Sequence, residues 1–129
     1  LRILLDTHCW LWMLSEPELL KAESRRILAS ADTDLFLSAA SAWEIAIKFS
    51  IGRLRLPGDP ADLVPAWLAQ SRTSALPVEH HHALRVATLP PHHRDPFDRM
   101  LVSQAQLERL PIMTSDRQFA SYDVELLPA

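Results

Sequence analysis

Short, uninterrupted apolar runs alternate along this chain with segments of helical period, and that alternation restricts its fold more than any other feature. "RILLD", "DLFLSA" and "PIMTSD" each carry apolar residues too continuous for a strand with one wet face. They read as strands buried on both sides, the signature of a parallel sheet. "SALPV" and "VELLP" are further short strands. Between them lie "THCWLWMLS", "PELLKAESRRILASA", "SAWEIAIKFSIG", "PADLVPAWLAQSR", "EHHHALRVATL", "PFDRMLVSQAQLERL" and "RQFASY", all with helical spacing. Strands alternating with helices predict an α/β fold: a mainly parallel sheet of four to five strands in one domain, residues 1–129.

Local signals punctuate this outline. Leu19, Leu20, Ala22, Ile27 and Leu28 give residues 17–31 one apolar face. Ser41 and Glu44 have capping-box spacing, and Gly52 marks the stop of their helix. Pro65 interrupts the residue 60–72 helix, and "RLRLPGDP" and "PHHRD" read as loops. Asp95 is placed as an N-cap, with Pro96 as first helical residue and Asp98 in the first turn.

Composition narrows the class. Hydrophobic residues make up 48%, enough for a packed core and too many for a disordered chain. The single cysteine, Cys9, permits no internal disulfide and reads as a small buried hydrophobe. No apolar run reaches the roughly 18–20 residues of a membrane span, and no signal peptide is visible. A cytoplasmic protein is expected, with the absent initiator Met pointing to a trimmed start. A net charge of −3 argues against gripping nucleic acid by bulk charge. Eleven of the thirteen basic residues are Arg, however. Arg53, Arg55, Arg94, Arg99 and Arg117, with Lys48, could form a local basic lip.

Asp6 is the hardest residue to explain structurally. It stands between "ILL" and "HCWLW", both destined for the interior, and an unpaired buried charge costs several kcal/mol, roughly. Glu44, Asp98 and Asp116 also fall at strand ends or helix starts. In a parallel sheet those positions share the carboxyl edge, so the four acids are expected to converge. Taken singly, Glu44 also reads as a capping-box acid, Asp98 as a first-turn dipole partner and Asp116 as a helix cap. Together they repel: two like charges about 4 Å apart cost roughly 4 kcal/mol at an effective dielectric of 20. A hard divalent ion with oxygen ligands, Mg²⁺ or Mn²⁺, offsets that repulsion. Such a site suits hydrolysis of a phosphodiester.

"ILLDTHCWLW", "LSAASAWEIAIKFSIGRLRLP", "HHRDPFDRMLVSQAQ" and "PIMTSDRQF" together resemble the PIN-domain ribonucleases, in particular the VapC-type toxins of bacterial type II toxin–antitoxin modules. The resemblance runs from near the first residue to about residue 119. It implies a three-layer α/β/α sandwich and makes Asp6, Glu44, Asp98 and Asp116 the acidic metal quartet. Thr7, Thr114, Asp95 and Lys48 are supporting positions, Asp95 as the cap and Asp98 as the metal acid. It further implies a Mg²⁺- or Mn²⁺-dependent endoribonuclease whose products carry a 5′-phosphate and a 3′-hydroxyl. The implied partners are RNA, a cognate antitoxin and a second copy of the chain; operator DNA is reached only through the antitoxin. A non-catalytic PIN-like regulatory domain is the alternative.

Other features point less sharply. A phosphotransfer domain of dehalogenase type needs a second acid two residues after the first, where His8 stands. "EHHH" spreads its imidazoles about 100° apart on a helix, against a zinc site. His92 and His93 read as a solvated loop close to the acidic rim. Trp10, Trp12 and Trp43 read as core or dimer-interface residues rather than base-stacking ones.

Overall fold

The computed structural model describes residues 1–129. Five strands form one sheet: β1 Arg2–Leu5, β2 Asp34–Ser38, β3 Thr73–Leu76, β4 Ile112–Thr114 and β5 Leu126–Pro128. Their order is β3-β2-β1-β4-β5, and every pairing is parallel. Six α-helices flank the sheet: α1 Thr7–Ser15, α2 Ala22–Ala29, α3 Ala39–Ser50, α4 Pro60–Gln70, α5 His80–Arg85 and α6 Pro96–Glu108. None is long and apolar enough to cross a membrane.

β1 shows why its run is apolar throughout. Ile3 and Leu5 point into one core, with Cys9, Trp10, Leu37, Ile45 and Val64 from β2 and from α1, α3 and α4. Leu4 points into the other, with Leu101, Val102 and Ala105 of α6 and Ile112 and Phe119. Successive strand residues face opposite sides, so a strand covered on both sides has no polar face to show. The result is the parallel α/β sheet that the alternating pattern predicts, in the α/β/α sandwich that the family resemblance implies.

The chain steps from β1 outward through β2 to β3, then crosses back to β4 on the other side of β1. Strand order therefore reverses between β1 and β4. In open parallel sheets this crevice, outside the carboxyl ends of the strands, is where ligands bind. A helix joining parallel strands runs back against them, so the N-termini of α1, α3 and α6 lie at the same edge.

Several local expectations change. Residues 17–31 are not one helix: a 3₁₀ turn, Pro17–Leu19, is separated from α2 by extended backbone at Leu20 and Lys21. With the break, Leu20 is buried and Leu19 is left half exposed. The cap of α3 is Ser38, whose Oγ accepts from the Ala40 amide at 3.0 Å, so the Ser41–Glu44 capping box is replaced. Ser41 is instead buried within the helix. α4 tolerates Pro65 in its interior behind an Asp59 cap and Pro60 at its first position. Gly52 ends α3 at φ +76°, as its position predicts. α6 ends instead on Arg109 in left-handed backbone, φ 56°.

Candidate active site

Asp6 follows β1 directly and occupies the N-cap position of α1, yet its side chain makes no capping bond. It turns toward β4, where Thr114 Oγ1 donates to Asp6 Oδ2 at 2.8 Å. The residue is 5% exposed. Burial pushes its carboxyl above the usual range; Thr114 and His8 pull it down, and Glu44 pushes it up again.

Glu44 is buried on α3, one turn beyond Ser41, and both its oxygens are engaged. Thr7 Oγ1 lies 2.7 Å from Oε1 and 2.8 Å from Ser41 Oγ. With one proton, the Thr7 hydroxyl donates to the carboxylate, which leaves Ser41 as donor between the two hydroxyls. Lys48 Nζ lies 2.6 Å from Oε2, one helical turn on. The hydrogen bond to Glu44 raises the Lys48 ammonium above its ordinary value against the opposing effect of burial, and the charges of Glu44, Asp95 and Asp98 add to it. Glu44 is thus held in place by its own helix and by α1.

Asp95 caps α6, its Oδ1 accepting from the Phe97 and Asp98 amides at 2.8 and 3.2 Å. That frees Asp98 from capping and turns it into the pocket. Asp98 is the most perturbed acid, pushed up to about 8 by burial and by the charges of Asp6, Asp95, Glu44 and Asp116. The same interactions put Asp6, Glu44 and Asp116 close enough to Asp98 for their charges to act on it. Asp116 lies two residues past the end of β4, not on it. Its Oδ1 caps a 3₁₀ turn, Arg117–Ser121, at the Gln118 amide (2.9 Å), and its own amide donates to Thr114 Oγ1 at 2.9 Å. Thr114 therefore joins Asp6 to Asp116 through a single hydroxyl.

This pocket sits on a fold whose relatives can be named. The PIN domain model matches residues 3–125. The chain belongs to the PIN domain family. Over 60 residues it is 43% identical to Ribonuclease VapC16 of Mycobacterium tuberculosis, a match that covers 46% of this chain and 43% of that protein. The chain thus matches less than half the length of that curated relative. Among solved structures, VapBC2 of Rickettsia felis bound to a DNA fragment from its promoter superposes with a TM-score of 0.73 at 13% identity, over 98% of each chain. DNA-bound VapBC of Salmonella typhimurium gives 0.68 at 17% identity, over 98% of this chain and 97% of that one. At these identities the structural likeness concerns the PIN fold alone.

His93 belongs to the pocket, not to a solvated loop. Its Nε2 lies 2.8 Å from Asp98 Oδ2 and 3.5 Å from Asp116 Oδ2. Nε2 is buried and, despite the short distance, out of line for a hydrogen bond. The loop that carries His93 is shaped by Arg99, which the sequence places in a basic lip. Its guanidinium instead donates to the carbonyls of Val86, Leu89 and Pro90 and to Tyr122 Oη, at 2.9–3.4 Å. Arg53, Arg55, Arg94 and Arg117 do stay exposed. A "PHHRD" string in a loop carries no periodicity, so its only legible signal was nearness to Asp95.

The remaining histidines and tryptophans divide between core and surface. His82 is fully buried, its Nδ1 accepting from the Glu79 amide at 2.9 Å and its Nε2 3.0 Å from Glu108 Oε1. Both ring nitrogens are engaged by protein partners. Trp10 is in the core, edge-on to Trp67, whereas Trp43 stays 61% exposed, edge-on to Phe97.

A hard divalent ion suits this donor set. The carboxylates outnumber the one nearby ammonium, and Asp98 cannot ionise readily at neutral pH without a counter-charge. Atoms of His93, Asp98 and Asp116 lie within 4.8 Å of one another. The unsatisfied His93 Nε2 marks a pocket whose polar groups are not fully paired among themselves.

Proposed function

We propose that residues 1–129 act as one PIN domain that hydrolyses RNA phosphodiester bonds with Mg²⁺ or Mn²⁺, as the toxin of a type II toxin–antitoxin pair. The observation that carries this reading is the carboxylate pocket at the reversal of strand order, with Asp98 pushed up to about 8 by burial and by its acidic neighbours. Charges so arranged destabilise the free protein and are relieved by a cation.

Asp6 and Asp98 chiefly hold the ion, and Glu44 and Asp116 complete the pocket directly or through water. Thr114 orients Asp6, Thr7 orients Glu44, and Lys48 offers its ammonium to a substrate phosphate. A divalent ion bound there would supply Lewis-acid charge at a phosphoryl oxygen and lower the pKa of water. Attack by water rather than by the ribose 2′-oxygen leaves a 5′-phosphate and a 3′-hydroxyl. The two VapBC likenesses and the VapC16 relative support an antitoxin as partner. A homodimer and contact with operator DNA through the antitoxin belong to the same reading.

Purified chain incubated with RNA and Mn²⁺ is expected to generate 5′-phosphate ends, and Asp6→Asn is expected to abolish them while preserving the circular dichroism spectrum. Cleavage by well-purified Asp6→Asn at the wild-type rate would remove the hypothesis.

A further inference from the structure

His93 enters the pocket with more constraint than a loop residue needs. Its backbone N–H donates to Tyr122 Oη at 2.8 Å, and the same oxygen accepts from Arg99 at 3.1 Å. Phe119 stands edge-on to the imidazole, 6.1 Å between ring centres. The Asp95 amide points at Nδ1, 3.3 Å away. An amide can only donate, so Nδ1 is the acceptor and the proton of the neutral ring sits on Nε2. Nε2 lies 2.8 Å from Asp98 Oδ2 and 3.5 Å from Asp116 Oδ2, one from the start of α6 and the other from beyond β4, yet it is hydrogen-bonded to neither.

Asp98 and Asp116 are carried by separate elements, and nothing in α6 itself fixes the rotamer of Asp98. Asp116 Oδ1 is already engaged at the Gln118 amide, so only Oδ2 is free to turn inward. With Nδ1 committed, His93 is a donor here and not a metal ligand. We propose that His93 is a positioning residue whose Nε2–H, unsatisfied in the free protein, donates to Asp98 or Asp116 as they turn to receive a divalent ion. The assignment rests on the reading of these acids as metal carboxylates. Partners of this kind, hydrogen-bonded to ligating carboxylates, typically change metal affinity by roughly 10–100-fold when removed.

Two amide substitutions separate this role from a merely structural one. Gln extends its side-chain N–H to about the position of Nε2; Asn reaches only that of Nδ1. Wild type, His93→Gln and His93→Asn are titrated with MnCl₂ by calorimetry, without RNA, and their melting temperatures are recorded. His93→Gln is expected to bind Mn²⁺ within about threefold of wild type, and His93→Asn roughly tenfold or more weakly. Equal affinity in all three proteins overturns the proposal, as does an equal loss in both variants, which would mean that the imidazole acts only by filling space. Failure of the wild type itself to bind Mn²⁺ overturns the metal reading of the whole pocket, and this inference with it.

Discussion

Thr114 donates its hydroxyl proton to Asp6 across 108 residues of sequence, at 2.8 Å, and both groups are buried. The bond ties the end of β4 to the end of β1, and it lowers the Asp6 carboxyl against the effect of burial. Thr114→Val keeps the shape and removes the donor. The Asp6 carboxylate then loses its fixed orientation, and Mn²⁺ affinity is expected to fall by roughly tenfold, with Thr114→Ser recovering most of it. Calorimetric titration of the three proteins checks this, and a Val variant that binds like wild type would contradict it.

Asp98 makes the stability of the metal-free protein depend on pH. Its carboxyl is raised from 3.8 to about 8 on folding, so the folded state holds a proton that the unfolded state has released. Its stabilising contribution is complete below about pH 4 and is lost as pH rises through about 8. Asp6, also raised, acts in the same direction. Melting temperature in EDTA should therefore decline between pH 5 and pH 8, with other groups held constant by difference against Asp98→Asn. Millimolar Mn²⁺ should flatten the decline, and an EDTA curve that rises across this window would refute the electrostatic picture.

The same repulsion sets activity against stability. Asp98→Asn removes a buried acid that its neighbours disfavour when charged. At pH 8 and without metal it should melt higher by roughly 2–8 °C, the shift that about 1 kcal/mol produces in domains of this size range. RNA cleavage should be lost in the same variant. Scanning calorimetry and gel assays on one preparation test both halves.

Arg99 should matter to folding far from any phosphate. Replacing it with Met leaves the carbonyls of Val86, Leu89 and Pro90 without their donor, and an unsatisfied buried group costs about 1–3 kcal/mol. Partial access of water to this loop keeps the total near the lower end of the sum, about 2–4 kcal/mol. Urea denaturation measures it directly. A loss below about 0.5 kcal/mol, the usual range for a surface site, would show that the loop does not depend on this side chain.

Cys9 should be inert. It is fully buried in the α1 core, and burial pushes its thiol up to about 12, with the charge of Asp6 adding to the shift. A disulfide-exchange reagent at pH 8 is expected to leave the native chain unmodified and to label it stoichiometrically in 6 M guanidinium. Rapid labelling of the native chain would place the thiol outside the core.

What the sequence determined by itself was local or periodic. Unbroken apolar runs announced strands covered on both faces, because a strand's side chains alternate and each face needs its own partner. Asp95-Pro96 announced the start of α6, because a cap and a first-turn proline act within four residues. The positions of Asp6, Asp98 and Asp116 at element ends followed from that outline; Glu44 lies instead in the middle of α3, because the helix starts at Ala39 and not at Ser41. Only the tertiary structure decided what depends on contacts between distant segments. Ser38 rather than Ser41 caps α3, since the strand ends where its partner in β3 does. Arg99 faces carbonyls instead of solvent, and His93 faces Asp98 and Asp116, because the loop from Val86 to Asp95 folds back over the start of α6. No pattern within the loop encodes that return. Sheet order likewise sets β4 beside β1 and so brings Thr114 and Asp6, more than a hundred positions apart, to within one hydrogen bond.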